Sequence, residues 1–445
     1  MNMRPRRHGP VDRARILVRR HGPTAPVWRK RVAIVSGAIM LGLVALLFAT
    51  IANQANHLFI LLYRAAWWAP LIVTPAGFVI LAWFTRTAAP DARGSGIPQI
   101  IAARHDPEGA MKSLASARTA AVKFLITIGG LLVGGSVGRE GPTVQISATI
   151  MAYVHKLFRV PLRASVMVAG GAAGVAAAFN TPIAGVTFAI EELAAAYEQR
   201  MTLLVMTAVL ISGMVSLGLN GDYTYFGIIS DTLPLRQVIV VTPIAGIIGG
   251  LAGGLFSRLM LDFGRSGAGP LVWLRARPLA TALVMGSIVA VIGCAGGLTW
   301  GTGYEPARLI IAGVQAPMWF GPAKFLTTLA TSLSGLPGGI FAPSLAAGAG
   351  FGALLTPLFP GAPVGCVVLL GMTGYFTGVV RAPLTAAIII SEATASHGLL
   401  LPLLATSLIA NWVSSFVCEE RLYHGLSSDY VARSEAEAAA QAESR

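Results

Sequence analysis

Lys123–Pro142 reads KFLITIGGLLVGGSVGREGP, and the chain returns to it at Lys324–Pro343 as KFLTTLATSLSGLPGGIFAP. The two lysines lie 201 positions apart, and the same shift carries Gly138 to Gly339, Pro142 to Pro343, Gly170 to Gly371, Pro182 to Pro383 and Glu191 to Glu392. One offset shared by landmarks in both halves is hard to obtain from composition alone. The chain therefore reads as two structural repeats, about 32–225 and about 236–424, an architecture common among secondary transporters. An odd number of spans per repeat would invert the halves, and the sequence leaves that parity open.

Around this repeat the composition is that of a membrane protein. Of 445 residues, 55% are hydrophobic and 12% charged, against about 25% charged in ordinary soluble proteins. Mean hydropathy is +0.69, and apolar stretches recur near 32–52, 66–84, 119–135, 164–178, 202–219, 236–261, 278–300, 322–333, 364–380 and 399–418. The fold class expected is all-α and polytopic, with ten to eighteen helical pieces, many broken or partial because 51 glycines and 26 prolines punctuate them. A soluble enzyme, a disordered chain and a fibrous fold are excluded.

The net charge of +14 is concentrated before the first apolar run, from Arg4 to Arg31, with Asp12 as the one acid there. A basic segment beside a first membrane helix predicts a cytoplasmic N-terminus, and no cleavage pattern follows the spanning-length run Val32–Ile51. Residues 1–31 are expected to form a basic cytoplasmic tail, 32–424 the membrane domain and 425–445 a short cytoplasmic tail. Such a charge calls for anionic lipid rather than nucleic acid. Cys294, Cys366 and Cys418 lie far apart without a CxxC, so small apolar packing is expected of them rather than a disulfide or a metal site.

Three segments share one design: Gly94–Pro98 (GSGIP), Gly138–Pro142 (GREGP) and Gly339–Pro343 (GIFAP). Proline suits the first turn of a helix, where its missing N–H is not needed, so each reads as a loop opening a helix. Glycine lets another group approach the backbone, and the free N–H groups at a helix start attract anions. Broken helices from both repeats would thus offer a dehydrated anion fixed partial charges, which suit transit better than full ones. The bland alternative is helix breaks in a tightly packed bundle.

Where the repeats disagree, chemistry is expected. Glu140 stands opposite Phe341, and Glu192 opposite Ala393, while Glu191 keeps its counterpart Glu392. Glu192 reads as an unpaired carboxylate ending an apolar helix, costly and usually functional inside a membrane. Lys123 and Lys324 occur in both copies and read as scaffold or general electrostatic support. Trp67 and Trp68 look like interfacial belt residues.

At these motifs the sequence resembles the CLC family of chloride channels and proton-coupled chloride transporters, and the likeness extends through Asn180–Gly185, Arg381–Thr385 and Tyr423. The resemblance implies a homodimer with one pathway per subunit and inverted halves. It further implies chloride held by the Ser95 and Tyr423 hydroxyls and the backbone amides of Ile340 and Phe341, with an outer site at the amides around Arg139 and Glu140. Glu140 would be the gate and proton acceptor, and Glu192 the inner proton acceptor found in the family's exchangers and replaced in its channels. Ser95 matches chloride-preferring members. Apart from the resemblance, the bland reading of Arg139 is a packing or salt-bridge residue whose side chain points away from the pathway, with only its backbone contributing.

Two departures qualify the match. Gln99 stands where many relatives have an acidic residue, and the chain stops soon after Tyr423, so the paired nucleotide-binding modules of many eukaryotic members are not expected. The expected function is chloride/proton exchange across a cell inner membrane without cofactor or metal, with a passive chloride channel as the alternative. A rival from another class rests on Gly134-Gly135-Ser136-Val137-Gly138, which matches the nucleophile elbow of serine hydrolases. Such a serine needs a histidine base, and His57, His105, His155 and His397 mostly fall at loops or span ends.

Overall fold

The computed structural model describes residues 25–194, 199–221, 224–265 and 270–443. The basic run before residue 25 lies outside them. Among the described residues there are nineteen α-helices and no strand. The first half carries α1 (Ala25–Ala65), α2 (Pro70–Ala88), α3 (Ile97–Ala103), α4 (Pro107–Ala110), α5 (Ala117–Leu132), α6 (Glu140–Leu157), α7 (Ala164–Phe179), α8 (Pro182–Phe188) and α9 (Gln199–Asn220). The second carries α10 (Leu235–Arg265), α11 (Pro270–Ala276), α12 (Pro278–Gly296), α13 (Tyr304–Ile311), α14 (Phe320–Leu333), α15 (Phe341–Leu355), α16 (Val364–Val380), α17 (Pro383–Thr394), α18 (Leu400–Val417) and α19 (Leu422–Glu443).

Seven segments are long and apolar enough to cross a membrane, and the chain is a multi-pass membrane protein. Hydropathy undercounts the helices because pieces such as the four-residue α4 are too short to register as apolar runs. It also stops α1 too early. That helix has 41 residues, about 60 Å at about 1.5 Å per residue, roughly twice the thickness of a hydrocarbon core. It continues past Ile51 through a more polar stretch, where Asn53 Oδ1 accepts from Arg139 Nη1 at 3.0 Å.

The repeat is visible at the centre of the molecule. Gly138 and Gly339, equivalent under the 201-residue shift, exchange N–H···O bonds of 2.7 Å each way in an antiparallel bridge. Equivalent residues that face each other while their chains run in opposite directions lie on a local two-fold axis, the kind of relation expected between two repeats. Helices α5 to α8 then match α14 to α17. Asn180 ends α7 at φ 57°, ψ 40°, and Arg381 ends α16 at φ 59°, ψ 38°. Both are left-handed stops, each followed two residues later by the proline that opens the next helix.

Helices α7 and α16 form the interior. Both are buried almost throughout and are apolar on every face, α7 rich in Gly, Ala and Val and α16 in Gly and Val, the pattern of a helix surrounded by protein rather than lipid. Gly249 and Gly253 let α10 lie directly on the backbone of α16, close packing that dispersion rewards where lipid offers no hydrophobic drive. Outward-facing Leu203, Leu210 and Met214 on α9, with Leu401, Leu408 and Trp412 on α18, leave an apolar exterior.

Candidate functional site

Helices α3, α6 and α15 all begin at the central bridge. Gly96, the residue before α3, holds φ 102°, which an L side chain rarely adopts. A Cβ on Gly141 would lie 2.8 Å from the Ser95 carbonyl oxygen and 3.1 Å from Gly339 Cα. A Cβ on Gly339 would lie 2.8 Å from the Gly141 nitrogen. The glycines expected to admit an anion therefore first admit one another's backbones, pressing three helix starts together. Gly338 N–H donates to the Gly94 carbonyl at 3.1 Å, and Lys123 Nζ donates to the same oxygen at 2.9 Å. Lys324 Nζ donates to the carbonyls of Thr299 and Gly301. Both ammonium groups are buried and hold loops, which supports their reading as scaffold.

The first four N–H groups of a helix have no partner within it. Here those of α15, starting at Phe341, point into the cluster where Glu140 opens α6. Glu140 is 0% exposed. Its Oε2 lies against Gly138, its carboxylate is within reach of the Ala342 N–H, and Tyr225 Oη donates to Oε1 at 3.5 Å. The carboxylate thus occupies the place where helix dipoles favour negative charge. The Arg139 side chain is directed to α1, donating through Nη1 to the Ala49 carbonyl at 2.7 Å.

Ser95 sits in the same cluster, its Oγ accepting from Ile97 N–H at 3.4 Å and leaving its own O–H to donate. Ile340 and Phe341 are buried at the start of α15. The Phe341 ring is fixed by Phe179, Phe188 and Phe376, and Tyr423 packs against it at 6.1 Å between centroids. Tyr423 is wholly buried, and its hydroxyl has no hydrogen-bond partner among the described residues. A belt tyrosine would face the membrane interface; this one is interior. A buried phenolic O–H without a partner is costly, and an anion is a ligand that would satisfy it. The structure therefore brings Ser95, Glu140, Ile340, Phe341 and Tyr423 into one region.

Glu192 lies apart from them. It sits in a π-helical turn, Ala189–Leu193, that extends α8, a distortion frequent at functional sites. The two adjacent glutamates point to different neighbours. Glu191 accepts from the N–H groups of Leu384 at 3.0 Å and Thr385 at 2.6 Å, at the start of α17. Its counterpart Glu392 accepts from Ile183 at 3.2 Å and Ala184 at 2.8 Å, at the start of α8. Glu192 is 0% exposed, with neither oxygen in an aligned hydrogen bond among the described residues. His424 Nδ1 stands 3.4 Å from its Oε1. Arg104 and Arg421 are also within electrostatic range.

Two residues escape a sequence reading. Tyr225 belongs to the connection between the repeats, which is pinned to the end of α17 by Phe226 N–H on Ala393 O and Ile229 N–H on Thr394 O. Nothing in the sequence marks a connecting tyrosine as a partner of Glu140. His424 follows Tyr423 directly, and only its placement against Glu192 gives it meaning. Ser136, by contrast, loses its candidate role. It is buried, its Oγ lies 2.9 Å from Thr328 Oγ1, and it follows a helix instead of the strand that a nucleophile elbow requires.

A family model described as "Voltage gated chloride channel" matches residues 76–415. The H(+)/Cl(-) exchange transporter ClcA of Klebsiella pneumoniae (strain 342) is 31% identical over 416 residues, 88% of this chain and 84% of that protein. ClcA of Salmonella gallinarum (strain 287/91 / NCTC 13346) is 32% identical over 417 residues, with the same coverage of 88% and 84%. Among solved structures, a slow cyanobacterial Cl-/H+ antiporter superposes with a TM-score of 0.75 at 26% identity, covering 91% of this chain and 98% of that one. A eukaryotic CLC transporter gives 0.71 at 25% identity, covering 90% and 74%. The chain belongs to the voltage gated chloride channel family, the CLC family.

Proposed function

We propose that the chain exchanges chloride for protons across the membrane. The observation that carries this reading is the pair of fully buried carboxylates, Glu140 seated among converging helix starts and Glu192 in the π-helical turn, with Tyr423 within electrostatic range of both. The ClcA relatives, named as H(+)/Cl(-) exchangers, support it.

In the cycle, Glu140 takes a proton from outside, becomes neutral and leaves the dipole-rich place that its carboxylate held. Chloride enters that place and is held by the Ser95 and Tyr423 hydroxyls and the backbone amides of Ile340 and Phe341, while the amides around Arg139 and Glu140 serve an outer site. The proton moves on to Glu192 and leaves on the inner side. Coupling follows because one carboxylate and one anion compete for the same partial charges, so protonation and chloride occupancy are linked. Chloride and protons are the cargo, and the bilayer is the medium.

The protein works as a homodimer with one pathway per subunit, in an inner membrane, with its N-terminus cytoplasmic. The family resemblance supports the dimer, and Arg29, Lys30 and Arg31 at the start of α1 support the orientation. The test is reconstitution into liposomes: an imposed chloride gradient should drive protons uphill. Chloride flux without proton movement would establish the passive channel instead.

A further inference from the structure

The inner carboxylate has a partner that reaches the protein surface. Glu192 is 0% exposed, whereas the His424 side chain is 37% exposed, and their Oε1 and Nδ1 atoms stand 3.4 Å apart. Histidine gains and loses a proton near neutral pH and carries two ring nitrogens, so it can accept a proton at one end and release one at the other. The charged and titratable groups around the pair are Glu191 on the same turn, Arg104 just beyond α3, and Arg421 and Tyr423 beside His424. Glu191 is committed to α17, and Arg104 Nη1 donates to the Leu193 carbonyl at 2.9 Å. Among these neighbours, His424 both stands against Glu192 and reaches the protein surface.

We infer that His424 is the relay through which Glu192 exchanges protons with the aqueous solution on its side, an inference that rests on the exchange reading above. A proton arriving at Nε2 of the neutral, Nδ1-protonated ring makes imidazolium. The Nδ1 proton then passes to Glu192 Oε1, leaving a neutral carboxyl and a neutral ring protonated at Nε2, which resets by exchange with water. Outward and inward transfers are the same steps reversed, and only N–H and O–H bonds change.

The test compares the unmutated protein, His424→Gln, His424→Ala and Glu192→Gln in liposomes under a chloride gradient, with proton and chloride fluxes measured together. His424→Gln should keep chloride flux and lose proton flux by about tenfold or more, below the range that a positioned proton carrier supplies. Imidazole added on the Glu192 side should restore proton flux to His424→Ala and leave Glu192→Gln unchanged. Full proton flux in His424→Gln would overturn the relay, as would a deficit in a chloride-conducting His424→Ala that imidazole leaves untouched. If His424→Ala conducts no chloride, His424→Gln decides alone. Proton-free chloride flux in the unmutated protein would defeat the exchange reading itself, an outcome distinct from failure of the relay.

Discussion

Glu191 and Glu392, 201 positions apart, each cap the helix that belongs to the other's repeat: Glu191 binds the start of α17 and Glu392 the start of α8. The exchange ties the inverted halves together with charge-assisted bonds aimed at helix N-termini, where a carboxylate is favoured. Glu191→Gln and Glu392→Gln should each lower stability by about 1–2 kcal/mol, the usual cost of a lost cap. Thermal unfolding in detergent measures this. Chloride/proton coupling per folded molecule should survive Glu392→Gln, because that residue faces neither the anion site nor Glu192.

Neighbouring Glu192 should behave in the opposite way. Glu192→Gln is expected to remove proton movement and spare chloride flux with little loss of stability, since the amide keeps the shape and removes a buried charge. Glu140→Gln should also uncouple, because a neutral side chain no longer competes with chloride. Paired flux recordings check both, and full coupling in the Glu140 variant would overturn its role as gate.

Tyr225 steadies the seated Glu140 carboxylate by one hydrogen bond. Tyr225→Phe removes that bond and keeps the ring that packs on Phe179. The carboxylate should leave its place more readily, so exchange should run several-fold faster at neutral pH, within the factor of about ten that about 1.4 kcal/mol represents. Initial chloride efflux rates read the effect; an unchanged rate would show that the bond does not hold the gate.

Gly339→Ala places a Cβ 2.8 Å from the Gly141 nitrogen, where backbone has no room to yield. Separating the three helix starts should cost about 1–3 kcal/mol, as overpacking does. It should also abolish anion transport, because the N–H groups no longer converge. Chloride binding by calorimetry and flux in liposomes should fall together.

Arg265, the last residue of α10, and Glu420, which lies beyond the last span, form a two-pronged pair of 2.8 and 2.6 Å, with both side chains about half exposed. The guanidinium holds the Glu420 carboxyl below its usual range. A depressed carboxylate contributes stability that is present above its unfolded value and lost as pH falls through the folded one. Glu420→Gln should therefore lower stability at pH 7 by less than about 1 kcal/mol, given solvent screening. The difference should vanish in acid, below the ordinary carboxylate range of about 4.

The sequence by itself determined the repeat, its 201-residue shift and the three loops that open helices, because glycine and proline act on their own backbone and leave a local signature. It singled out Glu140 and Glu192 as well, since a charge that breaks a repeat inside an apolar chain is visible in one dimension. Tertiary structure alone decided what those groups touch. The two-fold meeting of the halves rests on the reciprocal Gly138–Gly339 bonds between residues distant in sequence. The split of Glu191–Glu192 into a cap and a buried acid depends on which neighbours the fold brings to each side of their π-helical turn, the start of α17 on one and His424 on the other. Tyr225 and His424 acquire meaning only where the chain folds back on the two carboxylates, because a hydrogen bond or a proton path depends on distances of about 3 Å between atoms that the sequence keeps far apart.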